Sequence, residues 1–328
     1  MRAVVIREPG GPEVLTVAER PSPELFPGAI RVAVRYAGVN RADLLQRAGL
    51  YPAPEGVVPD IPGLEYAGAV AACGPGATRF AVGDRVYGIV AGGAYAEEVV
   101  VHEREAAPIP RSLGDLDAAA VPEAFVTAYD ALVVRGRLAP GEKLLVHAVG
   151  SGVGTAAAQI GRALGCFVVG TSRTADKLER ARTLGLDAPV LAEDGHFAER
   201  VQAATGGAGV DVVLELVGGA YLAESVVAAA SRARIVVVGL TGGARSDLEL
   251  RTVLQKRLEI IGTVLRGRPI EEKIELARLL WRNLGPWLER GTVRPVVDRV
   301  FGLAEAAAAH AFVAANESFG KVVLRLGD

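Results

Sequence analysis

Residues 147–157 read HAVGSGVGTAA, a glycine-rich turn between an apolar run and a stretch of small residues. A helix that starts directly after such a turn points unpaired backbone N–H groups outward, and a pyrophosphate is their usual guest. The turn is built from Gly150, Ser151, Gly152, Val153 and Gly154, one residue short of a strict G-x-G-x-x-G spacing. The bland alternative is a tight strand-to-helix turn with no ligand. Context favours a dinucleotide: the strand KLLVHA precedes the turn, a small-residue helix follows, and the strand CFVVGT comes at the distance of a βαβ unit.

The end of that second strand selects the nucleotide. An Asp or Glu there accepts hydrogen bonds from an adenosine 2′-hydroxyl, whereas a 2′-phosphate is repelled by an acid and held by arginine. Here the chain reads GTSRTADK, so Ser172, Arg173 and Lys177 supply a hydroxyl and two cations. NADPH is the expected cofactor. In the competing reading the segment is only a helix start, with Thr174 as its cap and both cations solvated.

These candidates need elements to position them. From residue 1 to about 118 the chain consists of short apolar runs punctuated by Gly and Pro, among them AVVI, IRVAVRYAGV, YAGAVAACG and DRVYGIV, which predict a β domain. From 119 to about 262 four buried-strand runs, KLLVHA, CFVVGT, VDVVLELVG and RIVVVGL, alternate with helical stretches, as a parallel sheet covered on both faces requires. LEIIGTVL offers a further edge strand. In the last segment, 263–328, PIEEKIELARLLWRNLGPWLERG predicts an outer amphipathic helix. The closing strand–helix–strand pattern is expected to rejoin the first domain.

Composition sets the outer bounds. A chain of 328 residues, half of them hydrophobic, can build two cores, and a net charge of −2 gives no footprint for nucleic acid or an anionic membrane. Two cysteines, Cys73 and Cys166, are too few for a four-ligand zinc site or a disulfide framework and suit a reducing cytoplasm. The opening MRAVVIREPGGPEVLTV has no leader pattern, and no run reaches the ~18 apolar residues of a membrane span. Lysine, Asn and Gln are scarce and loops are rich in proline, which fits thermophily or a GC-rich genome equally.

The stretches GGPEVL, AGVNRADLLQRAGLYP, IPGLEYAG, GDRVYG, VPEAFVTAYDAL, HAVGSGVGTAAAQIGRALG, DVVLELVGG and GKVVL run through nearly the whole chain. Together they resemble the zinc-independent quinone oxidoreductases of the medium-chain dehydrogenase/reductase superfamily, in the branch that includes zeta-crystallin. The resemblance implies an α/β fold, with a GroES-like β domain followed by a Rossmann doubly wound parallel sheet. It also implies a homodimer paired through the LEIIGTVL edge, a small-molecule quinone or enone as substrate, and no metal. In the zinc alcohol dehydrogenases of that superfamily a cysteine and a histidine stand where this chain has Asn40 and Leu64, and zinc loses its preferred donors there. The four histidines, His102, His147, His196 and His310, are scattered and read as surface or packing residues.

Without a Lewis acid, hydride transfer to an electrophilic quinone or enone is easier than alcohol oxidation, since the acceptor oxyanion needs only donors or a nearby acid. By resemblance Asn40, Asp43 and Tyr51 line the pocket. Tyr51 would donate to the acceptor oxygen, while Asn40 and Asp43 would orient the site and the nicotinamide ribose. Second readings stand beside these: Tyr51 before Pro52 as a loop anchor, and Asp43 as the cap of ADLLQRAGL. Glu65, Thr127 and Gly239 match family positions near the cofactor. Two departures stand out. The stretch APVLAED offers Ala192 where relatives often stack a tyrosine, and Glu215 replaces a usual Asp without an evident reason. The rivals are a 2-alkenal or enoyl-thioester reductase and, in another class, a nucleotide-sensing or RNA-binding protein, against which the acidic balance argues.

Overall fold

A computed structural model describes residues 1–192 and 194–327. The stretch APVLAED therefore includes one position, Glu193, outside the described residues. The chain divides into two compact units, one formed by Met1–Val126 with Leu265–Asp328 and the other by Thr127–Val264.

In the first unit the 11-residue strand Ala29–Val39 is the organising element. It pairs on one side with Glu65–Cys73, and the sheet continues through Arg85–Ile89 to Ala106–Pro108. Its other edge is shared. The first half pairs with Glu98–His102, from Ala29 opposite His102 to Ala33 opposite Glu98, and the second half pairs with Lys321–Arg325. Register shifts between Arg31 and Val32 and between Val34 and Tyr36 let this long strand bend enough to serve both partners. Val297–Gly302 then adds parallel to Lys321–Arg325, so the strand–helix–strand at the end of the chain is part of this sheet. Ile30, Val32, Val34, Tyr66, Val86, Leu303, Ala309 and Leu324 form its core.

The amphipathic run after residue 269 is helical but not regular. Ile270–Leu279 passes through a widened turn at Leu280–Leu284 into Gly285–Glu289. Pro286 is the physical reason: it has no N–H to continue the ladder, and Gly285 N–H reaches back five residues to the Leu280 carbonyl.

The second unit holds a parallel sheet of six strands in the order Ala188–Leu191, Phe167–Ser172, Lys143–Val146, Val210–Glu215, Ala229–Val237, Glu259–Gly262. Numbered along the chain this is 3-2-1-4-5-6, the doubly wound order of dinucleotide-binding sheets. The sheet has a strand absent from the apolar runs read in the sequence. Ala188–Leu191 is four residues long and contains Pro189, which is tolerated because this strand is an edge with one neighbour. Leu145, Val169, Val213 and Ile235 sit in its core. No helix among the described residues is long and apolar enough to cross a membrane.

Candidate active site

The second unit carries the cradle. Strand Lys143–Val146 ends at His147, Ala148 takes a left-handed φ of 46°, and the chain turns through Val149 and Gly150 into the helix Gly152–Ala163. Ser151 caps it, its Oγ accepting from Gly154 N–H at 3.0 Å. Any Cβ on Gly154 would collide with the Ala148 carbonyl and the Val149 backbone, so only glycine lets the helix approach the strand end this closely. The helix start, Ser151, Gly152 and Val153, is half-exposed, and the first N–H groups of a helix have no partner within it, as a pyrophosphate site requires.

At the neighbouring strand end Ser172 is buried and its hydroxyl accepts from Thr174 N–H at 3.2 Å, while Arg173 is exposed. Thr174 is the N-cap of Ala175–Arg182 but its side chain makes no capping bond, so the capping alternative has no hydroxyl behind it. Lys177 lies inside that helix, half-buried and partnered. Ala192 is fully buried and brings no side chain to this corner. An aromatic arrives from elsewhere. Tyr221, in Ala220–Ala228, donates to the Ala192 carbonyl at 3.3 Å, and Arg173 draws its phenol down against the upward push of burial.

Glu215, unexplained in the sequence, is a buried turn clamp. One carboxylate oxygen accepts from Val217 and Gly218 N–H, both at 2.9 Å, and the other from Ser225 Oγ at 2.9 Å. His147 joins it, with Nε2 2.9 Å from Ser225 Oγ and Nδ1 2.9 Å from Thr171 Oγ1; burial holds its pKa below the ordinary value. This histidine ties the cradle strand to its two neighbours. Gly239 packs on the Leu216 carbonyl, where a Cβ would clash, and Thr127 is buried in Pro122–Tyr129.

The first unit carries a cluster of buried charge. Asn40 caps the helix Arg41–Arg47, and Asp43, wholly buried, accepts from Asn40 N–H at 2.8 Å, Gly63 N–H at 3.1 Å and the Tyr95 hydroxyl at 3.1 Å. Burial pushes the Asp43 carboxyl up to about 6 against these donors. His310 stands 3.2 Å behind Tyr95 and 3.4 Å from Arg47; burial and that guanidinium bring it down to about 3, so it is neutral. Asp43 thus fixes two chain segments from inside the protein.

Beside it Glu65, also wholly buried, meets Lys321 Nζ at 2.6 Å and Asn40 Nδ2 at 2.9 Å. Lys321 completes its shell with Asn40 Oδ1 at 2.5 Å and the Val39 carbonyl at 3.0 Å. Gly38 makes room, since a Cβ there would overlap the Glu65 carboxylate. The Asn40 amide is therefore taken up inside the protein by Lys321, Glu65 and the Gly38 carbonyl.

Glu123 lies on the other side of Glu65, whose second oxygen accepts Glu123 N–H at 2.8 Å. Burial, then the charge of Glu65, push the Glu123 carboxyl up to about 8. The unfolded chain releases that proton near 4.5, so between these values the folded state binds more protons and stability falls as pH rises. Glu123→Gln is expected to stabilise the protein by about 1–2 kcal/mol at pH 9 and by almost nothing at pH 4. Urea denaturation at the two pH values measures the difference, and equal effects at both would mean an ordinary, solvated carboxylate.

Tyr51 is half-exposed on the loop after Arg41–Arg47, with its ring over the Arg266 guanidinium. The structure thus gathers the buried Asp43, Glu65 and Lys321 and the half-buried Asn40 and Glu123 into one cluster, with Tyr51 beside Arg266, and Gly150–Gly154 with Ser172 and Arg173 at adjacent strand ends. Reading the sequence missed Glu123, Arg266 and Lys321. Glu123 and Lys321 had a signal, in VPEAFVTAYDAL and GKVVL.

Comparison with known proteins agrees with this geometry. The family model for the alcohol dehydrogenase GroES-like domain matches residues 26–111, and that for zinc-binding dehydrogenases matches residues 152–282. These define an oxidoreductase of the medium-chain dehydrogenase/reductase superfamily. The rat quinone oxidoreductase is 30% identical over 332 residues, covering 99% of this chain and 98% of the rat protein. The structure of Escherichia coli quinone oxidoreductase complexed with NADPH superposes with a TM-score of 0.89 at 29% identity, covering 99% of this chain and 100% of that one. The chain belongs to the quinone oxidoreductase family of that superfamily. It also matches a Mycobacterium tuberculosis phthioceranic/hydroxyphthioceranic acid synthase, 39% identical over 234 residues, which are 71% of this chain; the match spans about a tenth of the synthase, 11% of its length.

The zinc implied by the second family model does not fit the residues present. Asn40 and Leu64 bring no thiolate or imidazole, and the carboxylate that follows Leu64, Glu65, is already paired with the Lys321 ammonium at 2.6 Å. A metal ion there would have to displace a buried cation.

Proposed function

We propose that this chain reduces a quinone or an activated enone with NADPH, by direct hydride transfer that uses neither metal nor flavin. The observation that carries the reading is the buried Lys321 side chain, paired with Glu65 at 2.6 Å and bonded to Asn40 and the Val39 carbonyl. NADPH supplies the hydride when bound. The backbone N–H groups of Gly152 and Val153 would hold its pyrophosphate and Ser172, Arg173 and Lys177 its 2′-phosphate, a reading supported by the NADPH-bound E. coli relative. Tyr51 donates a hydrogen bond to the acceptor oxygen as negative charge builds on it. Burial pushes the Glu123 carboxyl up to about 8, and once ionised its charge opposes ionisation of the Tyr51 phenol.

A second reading, reduction of enoyl thioesters, is favoured by the 39% identity to the acid synthase, against 30% to the rat quinone oxidoreductase. Steady-state rates with NADPH on a panel of quinones, enones, enals and enoyl thioesters decide between them. A kcat/KM highest on thioesters would move the assignment.

Arg173→Ala is expected to raise the KM for NADPH roughly 10- to 150-fold and leave NADH almost unchanged, since one charge-assisted hydrogen bond contributes about 1.5–3 kcal/mol. Loss of Lys177 should matter less, because it is half-buried in its helix and already partnered there. Equal use of both cofactors by the wild type would remove NADPH from the proposal. Ile260 of the edge strand Glu259–Gly262 is 40% exposed, and an apolar edge of that kind is a pairing hazard unless a second copy covers it. The proposed homodimer predicts a dimer mass by light scattering, and a concentration-independent monomer rejects it.

A further inference from the structure

The loop that carries Tyr51 has no helix or strand between Arg47 and Glu65, yet a donor must be held still to be useful. What holds it comes from more than 200 residues downstream. Arg266, only 5% exposed, donates from Nη1 to the Tyr51 carbonyl at 3.0 Å, from Nη2 to Gln46 Oε1 at 2.6 Å, and from Nε to the Ala91 carbonyl at 2.6 Å. Gln46 in turn donates to the Pro59 carbonyl at 3.0 Å, so the same guanidinium is tied to both ends of the loop. Its carbon lies 4.9 Å from the centre of the Tyr51 ring.

The chemistry of this arrangement is unusual for a strut. A buried cation is expensive, and the three hydrogen-bond acceptors that Arg266 uses here are all neutral. A buried guanidinium serving only to pin a loop would gain more from a carboxylate partner. Placed against the face of a phenol, the same cation stabilises negative charge on that ring and makes its hydroxyl a stronger donor. Arginine does this with a rigid planar fork that reaches three oxygens on separate segments while lying against the ring, a geometry that the compact ammonium of lysine does not reproduce.

We infer that Arg266 is the positioning residue for Tyr51: it fixes the phenol on its loop and strengthens it as a hydrogen-bond donor to the reacting oxygen. This rests on the reading of Tyr51 as that donor. Two charged groups bear on the ring, Arg266 and Glu123. Burial raises the phenol above its ordinary value of 10.0, Arg266 pulls it down and Glu123 pushes it up.

The test places 3-fluorotyrosine at position 51 and follows its ionisation by fluorine NMR, with no substrate present. In Arg266→Met the phenol should become about two- to fivefold weaker as an acid, with its midpoint raised accordingly. Arg266→Lys should shift it less. An unchanged midpoint in Arg266→Met overturns the inference. Should that variant fail to fold, Arg266→Lys decides: altered ionisation or a broadened resonance supports the role, and a signal identical to wild type rejects it. In turnover, Arg266→Met should lower kcat with KM nearly constant, and should add no further loss in a Tyr51→Phe background. Additive losses would make Arg266 a general structural residue. If the wild type reduces no quinone or enone, the reading of Tyr51 falls, while the titration still reports on Arg266.

Discussion

Tyr51→Phe is expected to lower kcat on enones by about 100- to 1,000-fold, the loss of about 2.7–4 kcal/mol that follows removal of one donor from a preorganised oxyanion site. The phenol sits above its ordinary pKa, so at neutral pH the hydroxyl carries its proton and can donate it. Quinones are stronger electrophiles and need less help, so their rates should fall less than those of enones. Phenylalanine keeps the ring over the Arg266 guanidinium, and the Tyr51 carbonyl keeps its bond to Nη1, so the loop should hold its place. Initial rates on a matched quinone and enone, with circular dichroism as the folding control, measure the effect. Unchanged turnover on both would reduce Tyr51 to a packing residue.

Lys321→Met should destabilise the protein by about 3–5 kcal/mol, because Glu65 would be left as a wholly buried carboxylate without its cation. The Asn40 amide would lose the donor to its Oδ1 as well. Adding Glu65→Gln should recover part of that loss, since the double variant buries no charge, although the amide still has to satisfy Glu123 N–H. Urea denaturation of wild type, both single variants and the double variant gives the coupling directly. Strict additivity would mean that the two groups do not stabilise one another. Incubating the wild type with a strong chelator should leave its activity intact, the outcome expected of the proposed metal-free transfer.

The parallel sheet and the cradle were legible because both follow from short-range patterns. Four of the six strands are apolar runs between helical stretches, and the edge Glu259–Gly262 falls within LEIIGTVL. Gly150–Gly154 and Ser172–Arg173 sit within the βαβ unit that gives them meaning. Ala188–Leu191 escaped because four residues with a proline carry too little alternation. The buried charges escaped for a different reason. Lys321, Arg266 and Glu123 look like surface residues until their partners are known, and Lys321 meets Val39 across 282 positions in the chain. His147 and His310, taken as surface or packing residues, are buried and hydrogen-bonded, which no local pattern distinguishes from packing alone.

The strand Lys321–Arg325, inserted between Ala29–Val39 and Val297–Gly302, also dictates an order of assembly. A ribosome releases the first unit's early strands long before this one, so for most of synthesis Ala29–Val39 has half an edge open and Glu65 waits without its counter-charge. The second unit is continuous in the chain and can close on its own while the nascent polypeptide is still growing. Refolding from denaturant should accordingly show the parallel sheet protecting its amides first, with the N-terminal strands locking only when the distant strand docks, since a contact closed over so long a loop forms slowly. Until then the half-made sheet presents an open strand edge, on which neighbouring nascent chains could pair.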